Sequence, residues 1–160
     1  MAVVANIRMA LDVFEDITGL LKSAALPYGV DALNIQLGAG TTPAVDTVYG
    51  GLFALSAGAL TVDLTALTRS GRSNLSLTGK TIYAVRIKNL GANPMTFKDG
   101  VTNGYALFTA TNGHVVRANG DTLQYAPAGF GAVGASDLAI DVSGTGTQTF
   151  YMVLAAGTAA

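Results

Sequence analysis

The sequence has no cysteine and no tryptophan among its 160 residues, and it has one histidine, His114, and one glutamate, Glu15. Without cysteine, the chain cannot form disulfides, thiolate zinc sites, iron–sulfur clusters or a cysteine nucleophile. A single imidazole does not hold a metal ion, because a protein metal site needs several ligands. Any site built around His114 would therefore have to combine it with carboxylates.

Charged residues are also scarce, at 12% of the chain, about half of the ~25% typical of a soluble domain. The net charge of −1 gives no electrostatic attraction to nucleic acid or to anionic lipid. A membrane-spanning helix needs about 20 consecutive apolar residues. The longest charge-free stretch, residues 142–160, is interrupted by serine, threonine, glycine and glutamine. We expect a soluble protein that binds neither nucleic acid nor membrane and contacts other proteins through a weakly charged surface.

The second half of the chain alternates between apolar and polar residues with the period of a β-strand. In residues 81–88, Tyr83, Val85 and Ile87 alternate with Ala84, Arg86 and Lys88. Residues 95–98, 105–109, 114–117, 121–126, 138–142 and 147–155 predict further strands, the last apolar on both faces from Phe150 onward. That last pattern predicts a central strand, or one covered by a neighbouring subunit. Four dipeptides typical of tight hairpins lie between these strands: Asp99-Gly100, Asn103-Gly104, Asn112-Gly113 and Asn119-Gly120.

The first half of the chain is less regular. Residues 34–37, 51–56 and 59–64 predict strands, whereas residues 9–22 fit either a helix or a strand, with the strand favoured. The total is about nine or ten short strands in a single antiparallel β-sandwich, either jelly-roll-like or immunoglobulin-like. We expect an N-terminal arm or first strand at residues 1–14 and the sandwich at residues 15–160.

Three candidate sites for chemistry have simpler explanations. Residues 129–134 match the dinucleotide motif G-x-G-x-x-G, but the following residues alternate as a strand, whereas pyrophosphate binding needs a helix there. His114 follows an Asn-Gly pair, as a residue at the edge of a hairpin would. Asp137 and Asp141 would lie about 13 Å apart along one strand, farther than the ~5–9.5 Å between glycosidase carboxylates. We therefore expect no catalytic, cofactor-binding or metal-binding residues and no enzyme activity.

Several segments resemble small virion accessory proteins that tailed bacteriophages encode among their head genes. The segments are residues 83–91, 103–108, 123–127, 137–144 and 149–154, within a similarity that covers residues 60–156. The resemblance implies a β-sandwich capsid decoration (cement) protein on the outside of the head, made in the cytoplasm of the bacterial host. It also implies that the major capsid protein is a partner and that the chain forms a homo-oligomer, often a trimer.

Two other functions are compatible with the sequence: another virion component from the tail, neck or head fibre, and a β-sandwich that binds carbohydrate or a receptor. The apolar residues Ala2, Val3 and Val4 precede every clear element. We predict that they contact a partner, for example by adding a strand to the edge of a neighbour's sheet.

Overall fold

The computed structural model describes residues 4–9, 12–17, 24–29, 33–38, 42–69, 72–108 and 112–158. Within these ranges there is no helix, and every pair of neighbouring strands is antiparallel. The predicted all-β sandwich is therefore confirmed. The first four strands are β1 (Val4–Met9), β2 (Asp12–Ile17), β3 (Ala24–Gly29) and β4 (Leu33–Gly38).

Ten further strands follow, in the range that carries the sandwich. They are β5 (Thr47–Ala54), β6 (Ala59–Asp63), β7 (Leu67–Arg69), β8 (Arg72–Leu75), β9 (Lys80–Asn89), β10 (Met95–Asp99), β11 (His114–Val116), β12 (Asp121–Tyr125), β13 (Ala139–Ser143) and β14 (Thr149–Thr158). Sheet A has the strand order β12-β9-β14-β5, and sheet B has the order β11-β10-β13-β6. The short pair β7–β8 is an insertion between the second and third sandwich strands.

The order of the strands distinguishes between the two sandwich types that the sequence left open. If the eight strands of sheets A and B are numbered along the chain, sheet A reads 6-3-8-1 and sheet B reads 5-4-7-2. The first strand thus lies beside the last, and successive strands repeatedly cross from one sheet to the other. This is the double Greek key of a jelly roll.

The core lies between the two sheets. Alternation along β9 and β14 places Ile87, Met152 and Leu154 on the inner face of sheet A, fully or almost fully buried. Phe97 and Ile140 face them from sheet B and are 0% exposed. The prediction of a central strand at the end of the chain is confirmed, because β14 pairs with β9 on one side and with β5 on the other.

A run of aromatic rings crosses this core. Phe150 stacks on Phe53, with ring centroids 5.1 Å apart, and meets Phe97 of the opposite sheet edge-to-face at 5.0 Å. Phe97 in turn approaches Phe108 at 6.3 Å. Offset-stacked and edge-to-face arrangements are favourable for aromatic quadrupoles, so these rings link the two sheets through their centre.

One polar side chain, that of Asn89, is completely buried at the end of β9. Its Nδ2 donates to the carbonyl oxygens of Asn93, Val116 and Arg117 at 2.8–3.1 Å, and its Oδ1 accepts from the N–H of Gly91 at 2.8 Å. Asn89 belongs to sheet A and Val116 to sheet B. The amide therefore clamps the two sheets together at this end of the sandwich.

Three of the four predicted turn pairs contain a residue with a positive φ angle, including Gly113 at 63°, whereas Asp99 is the last residue of β10 and neither it nor Gly100 has a positive φ. The connections also differ from those predicted. Asn103 and Asn119 adopt positive φ angles of 52° and 54°. However, the Asn119-Gly120 turn carries the chain from β11 in sheet B to β12 in sheet A instead of closing a hairpin between neighbours. The strand predicted at residues 105–109 was wrong, because residues 105–108 form turns.

Strands β1–β4 form a separate feature, which we call the N-terminal ribbon. β1 pairs with β4, and β2 pairs with β3 between them, which is the pairing of one long hairpin. Among the strands described, these four pair only with one another. The strand interpretation of residues 9–22 is confirmed for residues 12–17, and residues 18–22 lie outside the described ranges.

Candidate functional site

The only histidine takes part in packing between the edges of the two sheets. The His114 ring stacks on Phe108, with centroids 5.5 Å apart and planes inclined by 14°. Its Nε2 lies 3.0 Å from the hydroxyl of Thr122 on β12. No group of three or more His, Asp or Glu side chains that could hold a metal ion occurs among the described residues.

The glycine motif at residues 129–134 is a loop between β12 and β13, as the simpler interpretation predicted. Gly129 and Gly131 have φ angles of +78° and +108°, and no helix follows them in the described chain. The loop is held by Tyr105, which is 1% exposed and whose hydroxyl donates to the carbonyl of Gly131 at 2.6 Å. Burial raises the pKa of Tyr105 to about 12.

Replacing Tyr105 by phenylalanine should lower the free energy of unfolding by about 1–2 kcal/mol at pH 7, because the Gly131 carbonyl loses its donor. It should also remove a pH effect. The Tyr105 pKa of about 12 lies above the ordinary value of 10.0, so the unfolded chain ionises first and native stability falls between pH 10 and 12. Urea unfolding at pH 7, 10 and 11 measures both changes. The control variant Tyr151→Phe removes an exposed hydroxyl. The prediction would be contradicted if the free energy of unfolding fell equally with pH in the wild type and in Tyr105→Phe.

Several carboxylates are engaged in structural contacts. Asp141 accepts from the Thr61 hydroxyl at 2.6 Å and from the Val101 N–H at 2.9 Å. The Lys80 ammonium lies 2.7 Å from Asp46 and holds the pKa of that carboxyl below its usual value. Asp121 receives the guanidinium of Arg86 through both of its oxygens. Each of these three carboxylates is therefore engaged by a neighbouring donor of the sandwich.

The outer face of sheet B carries mainly small and polar residues, with Val115 as an exposed large hydrophobic residue at its edge. β6, β10 and β13 border a shallow, open depression there, lined mainly by Ala59, Thr61, Lys98, Asp141 and Ser143. Aromatic residues are missing from this lining, whereas carbohydrate-binding sites commonly stack a sugar on an aromatic ring. The depression therefore gives no support to the carbohydrate-binding interpretation.

The outer face of sheet A is different, and the register shows how its side chains align. Three rows run across β5, β14, β9 and β12. They are Val48–Ala155–Ala84–Tyr125, Gly50–Val153–Arg86–Leu123 and Leu52–Tyr151–Lys88–Asp121. Most of these residues are apolar, although they lie on the side of the sheet that faces away from the sandwich core.

One end of this outer face is covered by the chain itself. Leu37, in β4 of the N-terminal ribbon, is 1% exposed and packs with Val45, Tyr83, Ala84 and Ala155. The base of the ribbon thus lies on the first of the three rows. The contact of Leu37 with Ala84 and Ala155 shows that an apolar residue of the ribbon fits this surface.

The other end of the face is uncovered. Leu52 is 65% exposed, Leu90 is 45% exposed and Tyr151 is 41% exposed. Leu52 lies directly opposite Tyr151, and the N–H of Leu90 donates to the carbonyl of Thr149, two residues before Tyr151. We call Leu52, Lys88, Leu90 and Tyr151 the sheet A patch. It contains three of the five large hydrophobic residues that are exposed in the described part of the chain.

A glycine in β5 lets the tyrosine of the patch lie close to the sheet. A Cβ atom at Gly50 would come within 2.6 Å of the Tyr151 hydroxyl oxygen. Any larger residue would therefore displace the ring. Lys88, across from Tyr151 on β9, has no ion pair among the residues described. The patch thus combines an apolar surface with a lysine that forms no ion pair with the described residues.

The predicted partner contacts lie at the start of the ribbon. Val4 is the first residue of β1 and pairs with Gly38, and Ala2 and Val3 lie outside the described residues. Their contact role stays a prediction. The residues of the sheet A patch were not identified from the sequence, although the two-sided apolar pattern after Phe150 pointed to the strand that carries Tyr151.

Among the described residues there is no helix long and apolar enough to cross a membrane. The chain matches no protein-family model, no curated protein and no solved structure. The resemblance to phage virion proteins therefore stays a prediction.

Proposed function

We propose that this chain is a non-enzymatic structural protein of a virus particle, and more specifically a decoration protein on the outside of a tailed-phage head. The observation that carries the proposal is the contrast between the two outer faces of the jelly roll. Sheet A presents Leu52, Leu90 and Tyr151 together, whereas sheet B presents mainly small and polar residues and one exposed large hydrophobic residue, Val115. An exposed apolar patch with a polar surface elsewhere is typical of a protein–protein contact.

Two further features support a structural role. The jelly roll is a fold of viral capsid proteins, although lectins and enzymes share it, so the fold alone does not assign a function. His114 and Asp141 are engaged in contacts that hold the sandwich together. A decoration protein needs a rigid module of this kind, because many weak contacts on a repeating shell add up through avidity.

The partner in this proposal is the major capsid protein, with Ala2, Val3 and Val4 as the contact. Residues 1–3 precede every described strand, so removing them leaves the described pairings in place. A short apolar contact of this size contributes about 1–1.5 kcal/mol per copy, which corresponds to about a tenfold change in affinity.

The test mixes the full-length protein with empty heads of the phage that encodes it and sediments the heads. We expect the wild type to sediment with the heads at a saturating number of copies, and the variant without residues 1–3 to bind about tenfold more weakly. Val101→Ser, which shortens an exposed apolar side chain elsewhere, is the control. A wild-type protein that stays in the supernatant would overturn the proposal. Undiminished binding of the truncated variant would remove only the assigned contact.

A further inference from the structure

The edges of sheets A and B are formed by β5, β12, β6 and β11, and β5 differs from the other three. β12, β6 and β11 have five, five and three residues and contain Asp121, Asp63 and His114, respectively. β5 has eight residues, with no charged side chain and no proline. Proteins usually protect a sheet edge by keeping its strand short or by placing charges or proline on it. β5 lacks these protections, and a long, uncharged edge is a template for pairing with another strand.

The hydrogen bonds between β5 and β14 show which backbone groups of β5 lie at the open edge. The N–H of Leu55 donates to the carbonyl of Gln148 at 2.9 Å, in the register of the β5–β14 ladder. Hydrogen-bonded pairs alternate along an antiparallel ladder, so the odd-numbered residues of β5 bond to β14. The N–H and C=O groups that point away from β14 are those of Val48, Gly50, Leu52 and Ala54. No described strand pairs with β5 on that side.

This edge is accessible from outside the molecule. Gly50, Leu52 and Ala54 are exposed, and the side chain of Leu52 is 65% exposed. The short strand β7 approaches β5 on the core side, where the buried Tyr49 donates its hydroxyl to the Thr68 carbonyl at 3.1 Å. The outer side of the edge therefore offers room for a strand from another molecule.

A second copy of β5 fits the edge when a twofold axis passes through Gly51. Facing residues of an antiparallel pair share a face of the sheet, so the axis must pass through a residue and not between two residues. An axis at Gly51 places Val48 opposite Ala54 and Gly50 opposite Leu52. All four edge residues then face one another, and each facing pair exchanges two backbone hydrogen bonds.

Moving the axis to either neighbouring residue satisfies fewer backbone groups. With the axis at Gly50, Ala54 would face Asp46, whose N–H already donates to the carbonyl of Ala156. With the axis at Leu52, Val48 would face Ser56, whose N–H already donates to the carbonyl of Ala59. The backbone therefore favours the axis at Gly51.

The side chains fit the same register. Gly50 has no side chain, and the Tyr151 hydroxyl oxygen lies only 2.6 Å from the position that a Cβ atom at Gly50 would take. Leu52 of the second copy faces Gly50 and therefore meets the Tyr151 side chain. This contact occurs twice across the axis and covers Leu52, the most exposed of the three apolar residues of the sheet A patch. Gly51, at the axis, has no side chain that would separate the two strands.

We propose that two copies of this chain pair antiparallel through β5, with a twofold axis at Gly51. The two four-stranded copies of sheet A then form one continuous sheet of eight strands. The assembly closes as a dimer, because the contact is made by the same surface of both copies. This dimer differs from the trimer that the phage resemblance implies, and it does not depend on the decoration function.

The first experiment measures the mass of the full-length protein by size-exclusion chromatography with light scattering over a range of concentrations. We expect the wild type to reach twice 16.2 kDa. Leu52→Lys places a charge on the edge at a side chain that is already 65% exposed, so the variant should fold but dimerise about tenfold more weakly. Val115→Lys, the matched control, changes a residue that is 54% exposed on the edge strand β11 and should keep the wild-type mass. Circular dichroism of both variants checks that they keep the β-fold.

The second experiment tests the register and uses the absence of cysteine from the sequence. A tagged Val48→Cys chain is mixed with an Ala54→Cys chain and oxidised. Facing residues of a hydrogen-bonded pair have their Cα atoms about 5.5 Å apart, which is within the range of a disulfide. We expect a high yield of the mixed disulfide.

Each cysteine variant alone is the control for this experiment. Residue 54 of one copy faces residue 48 of the other, so the two copies of residue 54 lie about 20 Å apart along the paired strands. The same separation holds for the two copies of residue 48. Neither variant should therefore form a disulfide with itself.

Three results would overturn the proposal: a wild type that stays at 16.2 kDa or assembles as a trimer, a Leu52→Lys variant with the wild-type mass, or equal yields of mixed and self-paired disulfides. None of these measurements involves phage heads. Failure of the β5 pairing can therefore be distinguished from failure of the decoration function, which is read from sedimentation with heads.

Discussion

Replacing Asn89 by aspartate is expected to lower the free energy of unfolding by about 3–5 kcal/mol at pH 7. The side chain is 0% exposed, and its Nδ2 donates to three backbone carbonyl oxygens. An ionised carboxylate would place a negative charge against those oxygens without a donor between them. Since a domain of this kind is stable by only about 5–15 kcal/mol, the loss would be a large fraction of the total.

The pH dependence separates this mechanism from a simple loss of packing. Burial raises the pKa of a carboxyl group that has no cationic partner. The Asn89→Asp variant should therefore be more stable at pH 4, where the new carboxyl is protonated and can donate, than at pH 7. Urea unfolding followed by circular dichroism, at both pH values and relative to the wild type, measures the difference.

Asn93→Asp is the matched control, because it makes the same chemical change at an exposed neighbour in the same turn. Surface substitutions of this kind usually change stability by less than about 0.5 kcal/mol. If Asn89→Asp were as stable as Asn93→Asp at pH 7, the account of the clamp between the sheets would be wrong.

Phe150→Ala is expected to destabilise the sandwich by about 3–5 kcal/mol. The ring is 0% exposed, stacks on Phe53 at 5.1 Å and meets Phe97 edge-to-face at 5.0 Å. Truncation removes the ring that joins the aromatic residues of sheet A to those of sheet B. Because β14 is one of the two inner strands of its sheet, the cavity would lie where the surrounding strands have little freedom to relax.

The neighbouring residue provides the control for this prediction. Tyr151→Ala also removes an aromatic ring from β14, but from the outer face, where the side chain is 41% exposed. At low protein concentration, urea unfolding should show a change of less than about 1 kcal/mol for Tyr151→Ala. Similar losses for the two variants would mean that the aromatic contacts across the core contribute little.

The fold class was predictable because the alternation of apolar and polar residues along a strand can be read from neighbouring residues alone. Val85 and Ile87 alternate with Arg86 and Lys88 whatever the other strands do, and the chain forms β9 at this position. Tyr83 departs from the predicted alternation, because a β-bulge against β14 places it with Ala84 on the outer face. The topology was not predictable in the same way. Asn119-Gly120 has the composition of a hairpin turn, yet this turn joins two different sheets. β11 belongs to sheet B and β12 to sheet A, on opposite sides of the core.

The candidate site was not predictable, because it depends on register. Leu52, Leu90 and Tyr151 are separated by dozens of residues in the chain, and each looks like an ordinary strand residue by itself. Only the pairing of β5 with β14, and of β14 with β9, brings them onto one surface. By contrast, the glycine loop at residues 129–134 was interpreted correctly, since the residues that follow it lack a helical pattern.

The place of β14 in sheet A determines when the two parts of the chain can fold during synthesis. The N-terminal ribbon pairs residues that all lie between 4 and 38, so its pairings are local in the sequence. The sandwich pairs Val48 with Ala155, about a hundred residues later, and non-local pairing of this kind forms slowly. Leu37 of the ribbon therefore packs fully on sheet A only after β14, which carries Ala155, has been added.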